Sequence, residues 1–479
     1  MSEKLSGQIT VFLSMTLLML LSLVFTLLES ARSEGLRLRV QMAANSSIES
    51  VFAQYDRLLW DNYGLLFFMD RYGDAAELKE VAQKYAKKNS GSDWFEFSVK
   101  GVDTEKYVSA TDDGGRVFER SVCDYMKKAG LAGVAAKLVK DMTEASEIIG
   151  TDAAEEFDLS GISEKAKEID ERISEAENDL QEREGFSVET LTPEMSESEE
   201  REKYEQLRTT YGDIKKKGLL MAVCDDVETL SENVFEAGEF PSSLSSSEKS
   251  KNSGIVSEDG LHEGALLNEY CLDHFDSYTD GDREFMELEY LICGKDSALA
   301  NMSSAVKRLI ALRFGLNFVY LLKDEEKDAE AEMIALIIAG WTCIEGIIKG
   351  VKLLVQMIWA LTESVDDVRS LLAGESVPLL KDSGKLTLSQ GSGGWNYKQY
   401  LRLLLYLTGR EKVCYRAMDV IQTKIRQSEP AFTMKNCIYA ARISLEAEAS
   451  AMFPYLPGTI DYHMNQTGEY CYGDIFLGR

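Results

Sequence analysis

The sequence has little proline, little histidine and too few basic residues to balance its acidic ones. Its 479 residues include six prolines and three histidines, and 81 acidic residues stand against 52 basic ones, for a formal net charge of −29. Scarce proline beside abundant Leu, Ala and Glu favours a mainly helical fold. Because such an acidic surface repels phosphate backbones, the composition excludes binding to DNA or RNA.

Catalytic sequence motifs are missing as well. The chain contains no HExxH, GxSxG, P-loop or dinucleotide-binding fingerprint. Its eight cysteines include no CxxC pair, which argues against a zinc site or a thioredoxin-like site. We therefore expect no catalytic residue, no cofactor-binding residue and no metal ligand, and we expect that the protein is not an enzyme.

The even number of cysteines permits disulfide bonds if the chain is exported. Cys437 and Cys471 are the pair that we name, because both lie in strand-like segments near the C-terminus. The alternative is that all eight cysteines are buried thiols that pack as small hydrophobic side chains.

One acidic segment invites comparison with a calcium-binding loop. Set against the twelve-residue EF-hand loop, Asp276, Asp280, Gly281 and Glu287 fall at positions 1, 5, 6 and 12. Tyr278 breaks the pattern at position 3, and the residues that follow alternate like a strand instead of forming a helix. We interpret the segment as an acidic turn and keep calcium binding as the alternative.

The dominant feature is a stretch of twenty residues without a charge, ITVFLSMTLLMLLSLVFTLL, from Ile9 to Leu28. Because an α-helix rises about 1.5 Å per residue, this stretch would span roughly 30 Å, the thickness of a bilayer's hydrocarbon core. Four Ser and Thr residues inside it, from Ser14 to Thr26, are tolerated, because their hydroxyls can bond to carbonyls one turn earlier. We predict contact with membrane lipid through Ile9 to Leu28.

A cleaved signal peptide is the alternative to an uncleaved anchor. The preceding segment MSEKLSG carries one Lys and one Glu, and the apolar run exceeds the ~7–15 residues of a signal's apolar core. The following ESARSEGLRLR offers no convincing Ala-x-Ala cleavage site. These features favour an anchor. Charge leaves its orientation open, because Lys4 precedes the stretch, whereas Arg32, Arg37 and Arg39 follow it.

Helical periodicity continues beyond the apolar stretch. Apolar or small residues recur at helical spacing from Leu36 to Leu58, and only Gly35 interrupts, at a cost of about 1 kcal/mol. We expect one helix from about Gly7 to about Trp60, near 80 Å long. Its first half would lie in lipid and its second half would pack into a domain.

For the whole chain we predict an α+β fold, mainly α, with a small antiparallel sheet. Asp93–Lys100 alternates as a half-buried strand, and Asn436–Phe453 with Tyr462–Tyr472 reads as a closing hairpin that could pair with it. Glu287–Cys293 also alternates and predicts a strand. Met333–Leu361 predicts two buried helices, with a second membrane span as the alternative.

A charged helical hairpin is predicted near the middle of the chain. Six apolar residues from Ile162 to Leu180 are spaced 4, 3, 4, 3 and 4 apart, which makes a heptad seam among Glu, Lys and Arg. We interpret residues 162–236 as an antiparallel hairpin that projects from the body and can be removed without unfolding it. The alternatives are a solvated helix pair packed on the domain and a partner-binding arm.

These patterns suggest a division along the chain. Residues 1–35 form the membrane anchor, 36–160 the N-terminal part of the body, 161–240 the charged hairpin, 241–256 a flexible Ser-rich loop and 257–479 the C-terminal part of the body.

The segments GQITVFLSMTLLMLLSLVFTLLESAR and LRVQMAANSSIESVFAQYDRLLWDNYGLLFF carry a family resemblance. They resemble the N-terminus of TadE/TadG-like proteins, which accompany tight-adherence (Flp-type) pili; Gln41–Asn45 and Ser50–Ala53 fit the family's second helix. Over most of its length the chain also resembles an uncharacterised family of single-pass proteins of Gram-positive bacteria, through segments such as ELEYLICGKDS and NYKQYLRLLLYL.

The resemblance implies a single-pass protein of the cell membrane with its N-terminus inside, its bulk extracytoplasmic and no enzyme activity. Processed prepilins carry a Glu five residues beyond the cleaved Gly, whereas Phe12 holds that place relative to Gly7. We therefore do not expect cleavage there or assembly as a major pilin.

The expected function is that of a structural or assembly component of a pilus or related surface system, with other proteins of that system as partners. The alternative is an extracytoplasmic sensor or adhesive receptor of unknown ligand. The sequence leaves the oligomeric state open.

Overall fold

The structure is a computed structural model. It describes residues 2–91, 94–130, 140, 142–143, 156–184, 199–224, 227, 240–252, 260–281, 285–379, 394–452 and 458–470.

Helices make up most of this part of the chain, and the fold is α+β, mainly α, as predicted. In chain order the helices are α1 (Ser2–Phe52), α2 (Arg57–Tyr63), α3 (Ala76–Lys88), α4 (Arg116–Lys128), α5 (Ser160–Glu184), α6 (Glu199–Lys217), α7 (Leu219–Val223), α8 (Ser246–Lys249), α9 (Gly260–His274), α10 (Glu287–Cys293), α11 (Ala298–Lys323), α12 (Glu325–Ala339), α13 (Glu345–Leu372), α14 (Tyr397–Leu407) and α15 (Arg410–Arg426). The strands are β1 (Phe68–Met69), β2 (Ser98–Ser109), β3 (Cys437–Ser450) and β4 (Thr459–Glu469).

The chain folds into two compact units, each assembled from separate stretches. The first unit comprises Met1–Ala129, Glu239–Glu258 and Ile421–Arg479, and it contains the sheet. The second unit comprises Gly130–Gly238 and Asp259–Val420 and is helical in its described residues.

The sheet of the first unit is antiparallel, with β3 paired to each of the other three strands. This confirms the predicted hairpin near the C-terminus and its pairing with the strand that follows Trp94. The predicted start of that strand was wrong, however, because β2 begins at Ser98 and Trp94 lies in a turn before it. Alternate residues of β3 are buried, and α1 packs along β3 and β4.

Helix α1 is continuous over 51 residues, and its two halves differ in environment. The second half is buried in the first unit through Leu36, Val40, Ala44 and Val51, as the periodicity predicted. At Gly468 of β4 an added Cβ would lie 2.7 Å from side-chain atoms of Ile48 and Phe52 of α1, so only glycine permits this approach.

The helix ends earlier than predicted. It stops at Phe52, and the Asp56 side chain then caps the new helix α2 by accepting the Leu59 N–H at 2.9 Å. A capped start fixes a separate helix, which the apolar spacing through Leu58 did not reveal.

The second unit is built around α11, α12 and α13, which confirms the two helices predicted within Met333–Leu361. Segment Glu287–Cys293 is α10, so the predicted strand was wrong. All seven of its residues are buried, and a fully buried segment shows no polar face by which the period could be judged.

The predicted hairpin is present as two helices, α5 and α6, but the projecting arrangement was wrong. Both helices pack on α13, and Ile162, Ala166 and Ile169 of the heptad seam are buried. The Ile169 side chain lies against Gly350 of α13. Ile173 is only half-buried, and residues 185–198, 225–226 and 228–236 of the prediction lie outside the described residues.

The described part of the Ser-rich segment is more regular than the predicted flexible loop. Pro241–Ser243 forms a 3-10 turn, and the one-turn helix α8 begins with a capping box formed by Ser245 and Glu248. Residues 253–256 lie outside the described residues.

Candidate functional site

The first half of α1 is the most unusual surface of the protein. Its large apolar side chains between Ile9 and Leu28 expose from 41% to 76% of their area. Among the described residues, α1 is the one helix that is long and apolar enough to cross a membrane. Exposed apolar area on this scale needs an apolar environment.

Four hydroxyls in this stretch are satisfied within the helix, as predicted. Each donates to the carbonyl oxygen three residues earlier, at 2.8–2.9 Å. The four donors are Ser14, Thr16, Ser22 and Thr26. These four hydroxyls therefore require no water.

Directly after the apolar stretch, three residues of α1 fasten it to the sheet end of the first unit. We call Glu29, Arg32 and Ser33, with the groups that they bind, the junction. The Glu29 carboxylate is buried and accepts the Met452 N–H at 3.2 Å. The Tyr462 hydroxyl of β4 donates to the Ser33 carbonyl at 3.3 Å.

Arg32 forms the centre of the junction. Its guanidinium donates to the carbonyl of Trp94 at 3.0 Å and to the carbonyl of Ser450 at 2.8 Å. It also pairs with Glu29 at 3.4 Å, and only 11% of the Arg32 side chain is exposed. Charge-assisted bonds from one fork hold both the turn at Trp94 and the end of β3 against α1.

The junction was not predicted from the sequence. In the sequence, Arg32 indicated only a charge that bears on membrane orientation. The available signal was a Glu and an Arg three residues apart immediately after an apolar stretch, where they share one helix face. Their partners at Ser450 and Met452 are more than four hundred residues away along the chain.

A polar cleft of about 390 Å³ lies elsewhere in the first unit, beside β2 and α3. Two buried carboxylates in its wall have structural partners. Asp70 accepts the N–H groups of Ala76 and Glu77 at the start of α3, and Asp112 accepts the Ser109 N–H and an Asn252 amide N–H.

At the rim of this cleft, Lys435 donates to Glu248 at 2.8 Å. The bonds from Lys435 and Ser245 lower the pKa of Glu248 to about 2. Glu248 is therefore ionised at neutral pH and is occupied by its partners.

A buried carboxylate is found in the second unit. Glu289 of α10 is fully buried, and its Oε1 accepts the Tyr278 N–H at 3.0 Å and the Tyr397 hydroxyl at 2.8 Å. Its Oε2 is buried without a hydrogen bond. Burial raises the pKa of Glu289, because the low-dielectric surroundings disfavour the charged form.

In the acidic turn that was compared with a calcium loop, the carboxylates accept hydrogen bonds from the backbone of the turn itself. Glu287 Oε2 accepts the Asp276 N–H at 3.0 Å, and Asp280 accepts the Ser277 N–H and pairs with Lys398 at 2.8 Å. A helix follows at Glu287, contrary to the predicted strand, and residues 282–284 lie outside the described residues. Within the described residues, no group of three or more His, Cys, Asp or Glu side chains could hold a metal ion.

One buried ion pair braces the second unit. Arg313 of α11 is fully buried and donates to Asp367 of α13 at 2.7 Å. It also donates to the Pro378 and Leu379 carbonyls at 2.9 Å. These contacts tie two helices to the segment after α13, which is a structural role.

Seven cysteines lie in the described residues, and none of them is in a disulfide bond. Six of them are buried, and Cys343 is exposed. Cys437 is fully buried in β3, 3.9 Å from the Met69 sulfur. It takes part in no disulfide bond, contrary to the pairing with Cys471 that was named from the sequence. Cys471 itself lies outside the described residues.

The fold and the junction together define a class: a mainly helical α+β protein whose N-terminal helix is long and apolar enough to cross a membrane. A family profile matches residues 197–449, more than half of the chain. The chain therefore belongs to that family, which is described as a family of unknown function (DUF5702). No curated protein and no solved structure matches the chain. The matched stretch includes most of β3, whereas α1, β2 and β4 lie outside it.

Proposed function

We propose that this chain is a membrane-anchored, extracytoplasmic structural or assembly component of a bacterial surface system, of the tight-adherence (Flp-type) pilus kind. One observation carries the proposal. The exposed apolar half of α1 passes without a linker into the junction that binds it to a folded unit. A helix of this kind anchors the body and fixes its orientation to the membrane.

The resemblance of the N-terminal segments to TadE/TadG-like proteins supports the pilus system and an N-terminus on the inside. The net charge of −29 suits a body kept off anionic lipid and presented to protein partners. In this proposal the body binds and positions other proteins and performs no catalytic step. The partners just described for Asp70, Asp112 and Glu248 agree with structural roles for these carboxylates.

A sensor or adhesive receptor is the second proposal, and the polar cleft of about 390 Å³ favours it. That volume lies within the range of about 300–1,000 Å³ that small-ligand sites occupy. A receptor would bind its ligand in this cleft, and cells lacking the protein would assemble their surface structures normally.

Membrane integration is tested by comparing Leu20→Arg with Val11→Arg. An Arg at the centre of a span costs about 2.5–3.5 kcal/mol on insertion scales, whereas one near the end can reach the headgroups. We expect Leu20→Arg to lower the fraction of protein that resists alkaline extraction from membranes much more than Val11→Arg does. Equal fractions for the two variants would contradict the placement of the span.

The assembly role is tested in a deletion strain of the host bacterium. We expect loss of surface pili in electron micrographs, restored by the wild-type chain and by Val11→Arg but not by Leu20→Arg. Normal pili in the deletion strain would overturn the assembly role and leave the receptor as the better proposal.

A further inference from the structure

The direction of the strands identifies the end of the first unit that lies next to the apolar stretch. Strand β2 starts at Ser98 and β3 ends at Ser450, and Ser98 pairs with Glu448. The turn before β2 and the segment after β3 therefore lie at the same end of the sheet. Arg32 reaches this end through the carbonyl of Trp94, in the turn, and the carbonyl of Ser450, the last residue of β3.

The opposite end of β4 lies beside the far end of α1. The Tyr470 hydroxyl donates to the Gln54 carbonyl at 3.0 Å, whereas Tyr462, near the start of β4, bonds to Ser33. Strand β4 thus runs alongside α1, and its start lies at the level where the apolar stretch finishes.

Two large apolar side chains are exposed at the end of the first unit that lies next to the apolar stretch. Trp94 exposes 58% of its area and Met452 exposes 38%. Both border a cleft of about 810 Å³ whose wall also includes Arg32 and Phe97. An indole with an apolar body and one N–H donor is the side chain most typical of the boundary between lipid and water.

We propose that this end of the first unit rests in the headgroup layer of the bilayer that α1 crosses, with Trp94 and Met452 as the side chains that enter it. The inference rests on the proposed membrane anchoring and adds a second, peripheral contact to it. The occupant of the surface is the lipid of the leaflet where the apolar stretch ends.

The spacing along α1 supports this placement. Arg32, which holds the Trp94 carbonyl, lies four residues beyond Leu28, which is about 6 Å of helix rise. The headgroup layer adds about 5–7 Å to each side of the hydrocarbon core. Glu29, which binds the Met452 N–H at 3.2 Å, follows the apolar stretch immediately. Neither Trp94 nor Met452 can therefore lie far from the headgroup layer while the junction is intact.

Charge at this end points to an apolar contact instead of an electrostatic one. The described cleft wall holds two basic residues, Arg32 and Lys87, and two acidic ones, Glu96 and Glu448. The surface therefore offers no excess of positive charge to anionic lipid. The contact should form on zwitterionic lipid and should persist in high salt.

The test uses the full chain reconstituted in phosphatidylcholine nanodiscs that contain lipid brominated near the top of its acyl chains. Bromine quenches only tryptophans that reach the lipid. We expect bromine to quench the share of the wild-type fluorescence that comes from one indole among the five in the chain. We expect Trp94→Phe to lose this quenching. The loss should be the same in 0.5 M salt.

Trp60→Phe is the matched control. Trp60 lies beyond the end of α1, and Phe52 at that end is about 36 Å of helix rise from Leu28. We expect this variant to keep the wild-type quenching. Equal quenching of the wild type and Trp94→Phe, or its removal by salt, would overturn the inference.

Alkaline extraction of the same samples separates the two proposals. A chain that stays in the membrane while Trp94 remains unquenched contradicts the headgroup contact alone. A chain that is extracted contradicts the proposed anchoring, and the headgroup contact with it.

Discussion

Arg32 shows how much a single residue contributes to the attachment of α1. Its guanidinium bonds to the backbone of the turn before β2, to the backbone at the end of β3 and to Glu29, with little exposure to solvent. Each hydrogen bond to a charged group contributes about 1.5–3 kcal/mol. We expect Arg32→Ala to lower the free energy of unfolding of the first unit by about 2–4 kcal/mol, measured as a fall in the melting temperature of the detergent-solubilised chain.

Arg37→Ala is the control for this change. Arg37 lies on the same helix, but its side chain is exposed, and substitutions at such positions change stability by about 0.5 kcal/mol or less. Equal melting temperatures for the two variants would mean that the junction does not hold α1 to the sheet.

Glu289 predicts a dependence of stability on pH. Its pKa is raised in the folded state by burial, so the folded protein holds a proton that the unfolded chain releases above its ordinary value of about 4.3. Stability therefore falls as the pH rises from that value to the folded pKa. We expect Glu289→Gln to gain stability relative to the wild type over this window, measured by urea unfolding between pH 4 and pH 8.

Glu345→Gln is the control, because Glu345 predicts a pH dependence of stability with the opposite sign. The bond from Lys349 lowers the pKa of Glu345, which is exposed on α13. Its contribution should therefore be weak and should be lost as the pH falls through the folded pKa. A Glu289→Gln difference that is constant with pH, or that shrinks as the pH rises, would show that Glu289 is charged throughout.

At the scale of secondary-structure elements, the packing of α5 on α13 can be tested directly. Ile169 is buried against Gly350, whereas Ile173, one turn further along, is half-buried. We expect Ile169→Ala to destabilise the second unit by about 2–4 kcal/mol and Ile173→Ala to cost about 1 kcal/mol or less. Thermal unfolding of the two variants measures the difference. Similar small losses of stability in both variants would contradict this packing and favour a hairpin that projects from the body.

The elements that could be predicted are those whose pattern is local. The continuous helix α1 and the alternating strand β3 each show one buried face in the sequence, so spacing was enough. Helix α10 is buried on every side, and its spacing could not separate strand from helix. The heptad seam of α5 correctly indicated a buried face, but spacing does not say which helix covers it.

The candidate site divides in the same way. The apolar stretch and its internally bonded hydroxyls follow from composition and helix geometry alone. The junction depends on contacts between Arg32 and Ser450, at opposite ends of the chain. Such contacts arise only when β3 pairs into the sheet, and no local pattern in the sequence encodes them.

For the whole molecule, α1 has two roles in one element. Its first half exposes an apolar surface long enough to cross a membrane, and its second half is part of the core of the first unit. Because the helix is unbroken between them, a change in the tilt of the membrane span would be transmitted to the sheet. This continuity is why we propose a presenting or assembling role for the body and not a tethered, freely tumbling one.

The central claim is that the body lies outside the cell while α1 crosses the membrane, and Cys343 offers a direct measurement. It is the exposed thiol among the described cysteines. In a Cys471→Ser background, a membrane-impermeant maleimide should label intact protoplasts as fully as permeabilised ones. The label should disappear when Cys343→Ser is added. Labelling that requires permeabilisation would place the body in the cytoplasm and contradict the account.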